Sequence, residues 1–301
     1  MYKVVSTLAA AFVAVVAYVG ALGAQWNGCP PGFCNIRQAT NLAVYVGPGD
    51  IVAGANAWYG LRAYSAADNG NRLVNVCDPG NANCVDFVSN ITTGKLVFQT
   101  VGSTDCTSVN TCTIKVFYDR SGANKCSSSA CNMTQITAGS RCTLKASCLG
   151  GLPCAVCLNS SYTTPGTFAT QAQPYTMSGT INRTAPTGSS QGILSDTGTN
   201  ATLFGDAGGG QINIYAGFTL VGNATDNLTH AAQGVFNGSS SVVYIDGTSA
   251  TGNAGTSSLS SGLILDPSFG GNLFEVGLWP GAFSVGNQSS MNVNQHTYWG
   301  F

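Results

Sequence analysis

Apolar and polar positions alternate in short runs along most of this chain, and Gly, Asn, Asp, Ser or Pro punctuates the runs every few residues. The clearest run is Thr113-Ile114-Lys115-Val116-Phe117-Tyr118, which ends on Asp119-Arg120-Ser121-Gly122. There Asp and Ser can bond their own backbone and Gly tolerates positive φ. The same rule predicts strands at Arg72 to Cys77, Cys84 to Val88 and Lys95 to Phe98, after a first buried stretch ending in Ala57 to Tyr64. Further strands are expected at Tyr175 to Asn182, Gly192 to Ser195, Ala201 to Gly205, Gln211 to Phe218, Leu263 to Asp266 and Asn272 to Trp279. The strongest hairpin signal is Gln233 to Phe236, turning through Asn237-Gly238-Ser239 into Val242 to Ile245 and closing on Asp246-Gly247. A helix is predicted only in the tail, with Ser284 as N-cap and Met291, Gln295 and Tyr298 on one side. The predicted class is therefore all-β, a two-sheet sandwich with one short C-terminal helix.

Composition sharpens this picture. Only 8% of the 301 residues are charged, 44% are apolar and 39 are glycine, whereas ordinary domains carry roughly 25% charge. Gly, Ser, Thr and Asn supply the polarity, as many turns require. The formal net charge is −1. No basic stripe exists to neutralise phosphates, so nucleic acid is not an expected partner.

Residues 1–24 read as an export signal: Lys3, an apolar run from Val4 to Val19, and small residues at Ala21 to Ala24. The competing reading is an uncleaved anchor, but no Lys/Arg cluster follows the run, so no stable span is expected after signal removal. Residues 25–46 are expected to form a Cys- and Pro-bearing lead-in, and 47–301 a single sandwich domain, exported or surface-displayed. All twelve cysteines lie between Cys29 and Cys157. An even count in an exported chain argues disulfides. Spacing suggests Cys29 with Cys34, Cys77 with Cys84, Cys106 with Cys112 and Cys126 with Cys131. Of the last four, Cys148 with Cys154 across Gly150-Gly151 is preferred, which leaves Cys142 with Cys157. Cys154-Ala155-Val156-Cys157 alone is a weak redox or zinc signal.

The Cys106-x5-Cys112 loop followed by Tyr118-Asp119-Arg120-Ser121-Gly122 resembles the catalytic domain of α-L-arabinofuranosidase B, as do Gly47-Pro48 and Asp50-Ile51. The resemblance implies a concanavalin A-like, jelly-roll sandwich. The Tyr244-Ile245-Asp246-Gly247 hairpin also looks like those of laminin-G and pentraxin-like sandwiches, and the terminal Tyr298-Trp299-Gly300 resembles domains of bacterial exported and phage tail-associated proteins. By the same resemblance Asp266, ahead of the Gly271 to Gly277 strand, occupies the place of the family's acid/base. Asp196, in Asp196-Thr197-Gly198-Thr199-Asn200-Ala201-Thr202-Leu203-Phe204, matches the first Asp of the nucleophile segment, but no Glu follows it. A retaining glycosidase needs two carboxyls about 5–5.5 Å apart. The expectation is thus a glycan-binding, lectin-like protein on a glycosidase-like scaffold. The alternatives are an active arabinofuranosidase using Asp266 with Asp196 or Asp206, and a structural subunit that self-associates through an apolar patch.

Candidate sugar contacts are Trp279 and Trp299, expected to be exposed at element ends, together with Asp206 and Asn200. The plainer reading of Asp196, Asp206 and Asp266 is that of turn residues closing strands. Glu275 is expected to be a structural carboxylate with backbone or Arg partners. His230 and His296 have no nucleophile elbow nearby and form no Ser-His-Asp triad. No metal or cofactor is expected beyond a possible structural calcium at Asp226-Asn227 or Asp246, where no ordered EF-type pattern occurs.

Overall fold

The computed structural model describes residues 44–107, 111–127, 130–183, 190–197, 203–207, 211–222, 228–260, 262–265 and 269–301. It is a β-sandwich built from antiparallel strands. One layer runs Ala57–Gly60, Gly271–Pro280, Tyr175–Arg183, Thr229–Phe236, Ser241–Ile245, Thr248–Gly252 in spatial order. The other runs Cys84–Val88, Arg72–Cys77, Thr113–Phe117, Met133–Thr134, Tyr162–Thr163, Leu263–Leu265, Ser190–Asp196, Leu203–Ala207, Ile212–Tyr215, Thr219–Val221. A hairpin of Thr143–Leu149 and Leu152–Cys157 bridges them, pairing with Leu273 on one side and Thr113 on the other.

Side-chain alternation explains the layering. In Tyr175–Arg183, Tyr175, Met177 and Ile181 join the main core, whereas Thr176, Ser178 and Thr180 face the opposite way and bond toward the C-terminal segment. The layers meet closely where Thr229–Phe236 crosses Ile212–Tyr215. A Cβ on Gly234 would lie 2.3 Å from the Ile214 side chain, so only glycine fits. The outer face of the first layer carries a second apolar cluster of Trp58, Tyr64, Val235, Trp279, Phe283 and Met291. It is roofed by a helix, α2 (Val285–Trp299). As the sequence predicts, Ser284 caps it by accepting from the Asn287 N–H at 3.2 Å, and Gly300 ends it at φ 77°. Gln288, Met291, Asn292, Gln295 and Trp299 form its buried stripe.

Several expectations need correction. A four-residue helix, α1 (Pro48–Ile51), opens the domain, with Pro at its start and Asp50 accepting the Gly47 N–H at 2.8 Å. Lys95 and Leu96 form only isolated bridges rather than a strand. The expected strand Gln211 to Phe218 ends at Tyr215, because Gly217 adopts φ 113° and the chain doubles back into Thr219–Val221. Thr143–Leu149 and Leu152–Cys157 went unread among the cysteines, although their turn at Gly150-Gly151 was legible; both glycines have positive φ.

Five expected disulfides are present: Cys77–Cys84, Cys106–Cys112, Cys126–Cys131, Cys142–Cys157 and Cys148–Cys154. Cys29 and Cys34 lie outside the described residues. Cys77 and Cys84 are directly opposed in their hairpin, so the covalent link and the strand register reinforce each other. No helix among the described residues is long and apolar enough to cross a membrane.

Candidate functional site

The chain carries twelve carboxylate side chains. Glu275, its only glutamate, lies opposite Gly60 and Thr180 in the first layer, beneath α2. Arg62 grips it twice: Nε donates to Oε2 at 2.5 Å and an Nη to Oε1 at 2.8 Å, with side chains 0% and 1% exposed. Gln295 donates to the same carboxylate at 3.0 Å. The guanidinium also donates to Asn294 and lies 4.5 Å from the Tyr298 ring centre. Burial pulls the Arg62 guanidinium down, but the charge and hydrogen bonds of Glu275, together with Tyr45 and Tyr298, outweigh it and hold the group above its ordinary range. This is a sealed structural pair, and the expected Arg partner is Arg62. Gly60 is obligatory beside it: a Cβ there would lie 2.9 Å from that of Glu275 and 2.6 Å from the Trp58 ring.

Asp119 ties its turn to the first strand, accepting the N–H of Trp58 at 3.1 Å and of Ser121 at 2.9 Å. Burial pushes its carboxyl up. The adjacent Arg120 grips Asp68, so the Tyr-Asp-Arg-Ser-Gly turn is anchored on both sides. Asp246 accepts from the Ala231 N–H at 2.9 Å and faces both histidines. Its oxygens are therefore committed within the chain. Among the described residues no trio of His, Cys, Asp or Glu could hold a metal ion; Asp226 and Asn227 fall outside them.

Asp196 is the carboxylate matched to the family's nucleophile segment. It ends the strand Ser190–Asp196, is 4% exposed, and accepts the Ser260 N–H at 2.9 Å through Oδ2. Its ladder partner is Leu263, and two residues earlier in the strand Leu194 pairs with Leu265, the residue just before Asp266 in sequence. The two segments matched to the family's acid residues are thus hydrogen-bonded neighbours. On the other side of Leu263–Leu265, Thr164 accepts the Leu263 N–H at 3.0 Å. Next to it opens a groove of about 360 Å³ lined by Thr134, Gln135, Ile136, Ser161, Thr163, Thr164 and Pro165. Four hydroxyl side chains and one amide share its lining with Pro165 and with Ile136, which is 80% exposed. Asp266 and Asn200 fall outside the described residues. Asp206 is placed by its backbone alone, opposite Gln191 and Ile212.

Trp279 and Trp299, expected to be exposed, are both buried. Trp279 donates Nε1–H to the Val52 carbonyl at 2.8 Å and packs edge-on against Phe283. Trp299 packs on Phe274 with ring centres 5.0 Å apart. Element ends are buried here because α2 folds back over the first layer, which local sequence does not reveal. Neither ring has a face open to a sugar. Among the described residues the exposed aromatics are Tyr215 (38%) and Phe218 (62%), at the end of Ile212–Tyr215 and in the turn after it. An apolar residue directly after the Ala216-Gly217 turn was the available signal.

No protein-family model and no curated protein matches the chain. Solved structures do. An arabinofuranosidase complexed with arabinofuranosyl-α-1,2-xylobiose aligns with a TM-score of 0.63 at 17% identity, over 84% of this chain and 65% of that one. A mutant GH54 α-L-arabinofuranosidase soaked with 4-nitrophenyl α-L-arabinofuranoside, and the GH54 enzyme soaked with a cyclic sulfate inhibitor, each align at 0.62 and 16% identity, over 84% and 66%. This chain therefore spans about two thirds of their length. At such identity the likeness establishes the fold: the chain has the sandwich seen in these arabinofuranosidases.

Proposed function

We propose that this protein is an exported carbohydrate-binding protein that recognises arabinofuranose-bearing polysaccharide on a glycosidase-type sandwich without hydrolysing it. One observation carries the non-hydrolytic half. The chain's only glutamate is locked into a buried pair with Arg62 and presents no oxygen to a ligand. The Asp196 segment supplies no second acid in the nucleophile's place, and a retaining mechanism needs two facing carboxyls. The disulfides support export. An active α-L-arabinofuranosidase is the second reading. It is favoured by the direct pairing of the strand that ends at Asp196 with Leu263–Leu265.

Titration with arabinan and arabinoxylan, alongside incubation with 4-nitrophenyl α-L-arabinofuranoside, separates the readings. Saturable binding without nitrophenol release is expected, weakened by Asp196→Asn. Turnover abolished by Asp266→Asn would replace the first reading with the second. Absence of both binding and turnover would refute a carbohydrate role.

A further inference from the structure

The chain has two histidines, and they meet on one carboxylate. His230 comes from strand Thr229–Phe236, His296 from the last turn of α2, and Asp246 from the tight turn joining Ser241–Ile245 to Thr248–Gly252. His230 Nδ1 lies 2.5 Å from Asp246 Oδ2, and His296 Nε2 lies 2.9 Å from Oδ1. The other nitrogen of His296, Nδ1, lies 2.7 Å from the Phe301 backbone oxygen. Gly300 makes this contact possible: its left-handed conformation and its N–H bond to the His296 carbonyl turn the chain back. The Phe301 ring then stacks on the imidazole with centres 4.2 Å apart.

Valence decides what this arrangement requires. A backbone oxygen and a carboxylate oxygen only accept, and a neutral imidazole carries a single N–H. His296 can satisfy Asp246 and Phe301 together only as an imidazolium; as neutral imidazole it must give up one of them. The same residues wall a cavity of about 500 Å³, completed by Leu149, Asn182, Leu228 and Thr229, none of which titrates. The charged side chains Arg62 and Glu275 meet α2 at Asn294 and Gln295 and are closed on each other.

We propose that His296, Asp246 and His230 form a proton-operated latch that fastens the C-terminal end of α2 to the Asp246-Gly247 turn and closes one wall of this cavity. The latch holds while His296 is an imidazolium, with an N–H for each acceptor, and loosens when it gives up one of those two protons. Burial pushes the Asp246 carboxyl up, but the bonds from His230, the Ala231 N–H and His296 outweigh it and hold the group below its ordinary range. The accepting charge therefore persists at mildly acidic pH.

Amide hydrogen exchange of the full chain, with tags removed and intrinsic rates corrected, tests this by comparing about pH 5.5 with about pH 8. The segment 297–301 is expected to exchange on the order of tenfold more slowly at the lower pH, the effect of one charge-assisted hydrogen bond. His296→Gln, which has one amide nitrogen to donate from, should abolish the difference, and so should Asp246→Asn. Equal protection at both pH values, or an unchanged ratio in His296→Gln, would overturn the proposal. The wild-type comparison alone decides if a variant does not fold.

Discussion

Removing the charge of Glu275 offers the sharpest test of the reading that this residue holds the fold rather than serves chemistry. Glu275→Gln preserves shape but strands the Arg62 guanidinium at 0% side-chain exposure. One of its nitrogens, Nη1, is already buried without a partner, and Asn294 alone cannot neutralise it. Breaking a buried pair from one side costs about 3–5 kcal/mol, whereas replacing both charges by apolar groups of similar volume is neutral or stabilising. Glu275→Gln and Arg62→Met should therefore each lose about 3–5 kcal/mol, while Arg62→Met with Glu275→Leu recovers most of that loss. With Glu275→Leu measured alone as well, its loss and that of Arg62→Met would fail to add in the double variant, as expected for directly coupled residues. Urea unfolding with disulfides intact, followed through the buried Trp58, Trp279 and Trp299, measures each variant. Glycan titration at low temperature checks binding on the folded fraction. If Glu275→Gln kept its stability within about 0.5 kcal/mol, the ordinary range for a surface change, and yet lost binding or turnover, the carboxylate would belong to the site.

Two further outcomes follow from the geometry. Trp279→Ala should cost about 3–5 kcal/mol, as for a large buried aromatic, with arabinan affinity per folded molecule unchanged; lost affinity at full stability would restore Trp279 as a sugar contact. Asp119→Ala should cost about 1–3 kcal/mol by orphaning the Trp58 and Ser121 N–H groups, and Asp119→Asn less. Because burial raises the Asp119 carboxyl in the folded state, its penalty is absent below the unfolded value of about 3.9 and sets in as pH rises through the folded value. Thermal melts should accordingly move in favour of Asp119→Asn between acid and neutral pH, and a shift the other way would mean that the carboxylate form is favoured.

Local chemistry was enough for much of this protein. Period-two alternation and turn residues determine Thr113–Phe117, Tyr175–Arg183 and the hairpin through Asn237-Gly238, because a strand's exposed and buried faces are written into neighbouring residues. Close cysteine spacing determines the short disulfide loops for the same reason, and Ser284 marks the start of α2. The tertiary structure decided whatever depends on residues distant in the chain. That α2 roofs the first layer, burying Trp279 and Trp299, follows from an apolar and polar sheet face finding its complement some hundred positions away. That Glu275 meets Arg62, 213 positions apart, and that two unremarkable histidines share Asp246, are products of strand order. No periodicity encodes strand order. The strand ending at Asp196 and Leu263–Leu265 became neighbours in the same way.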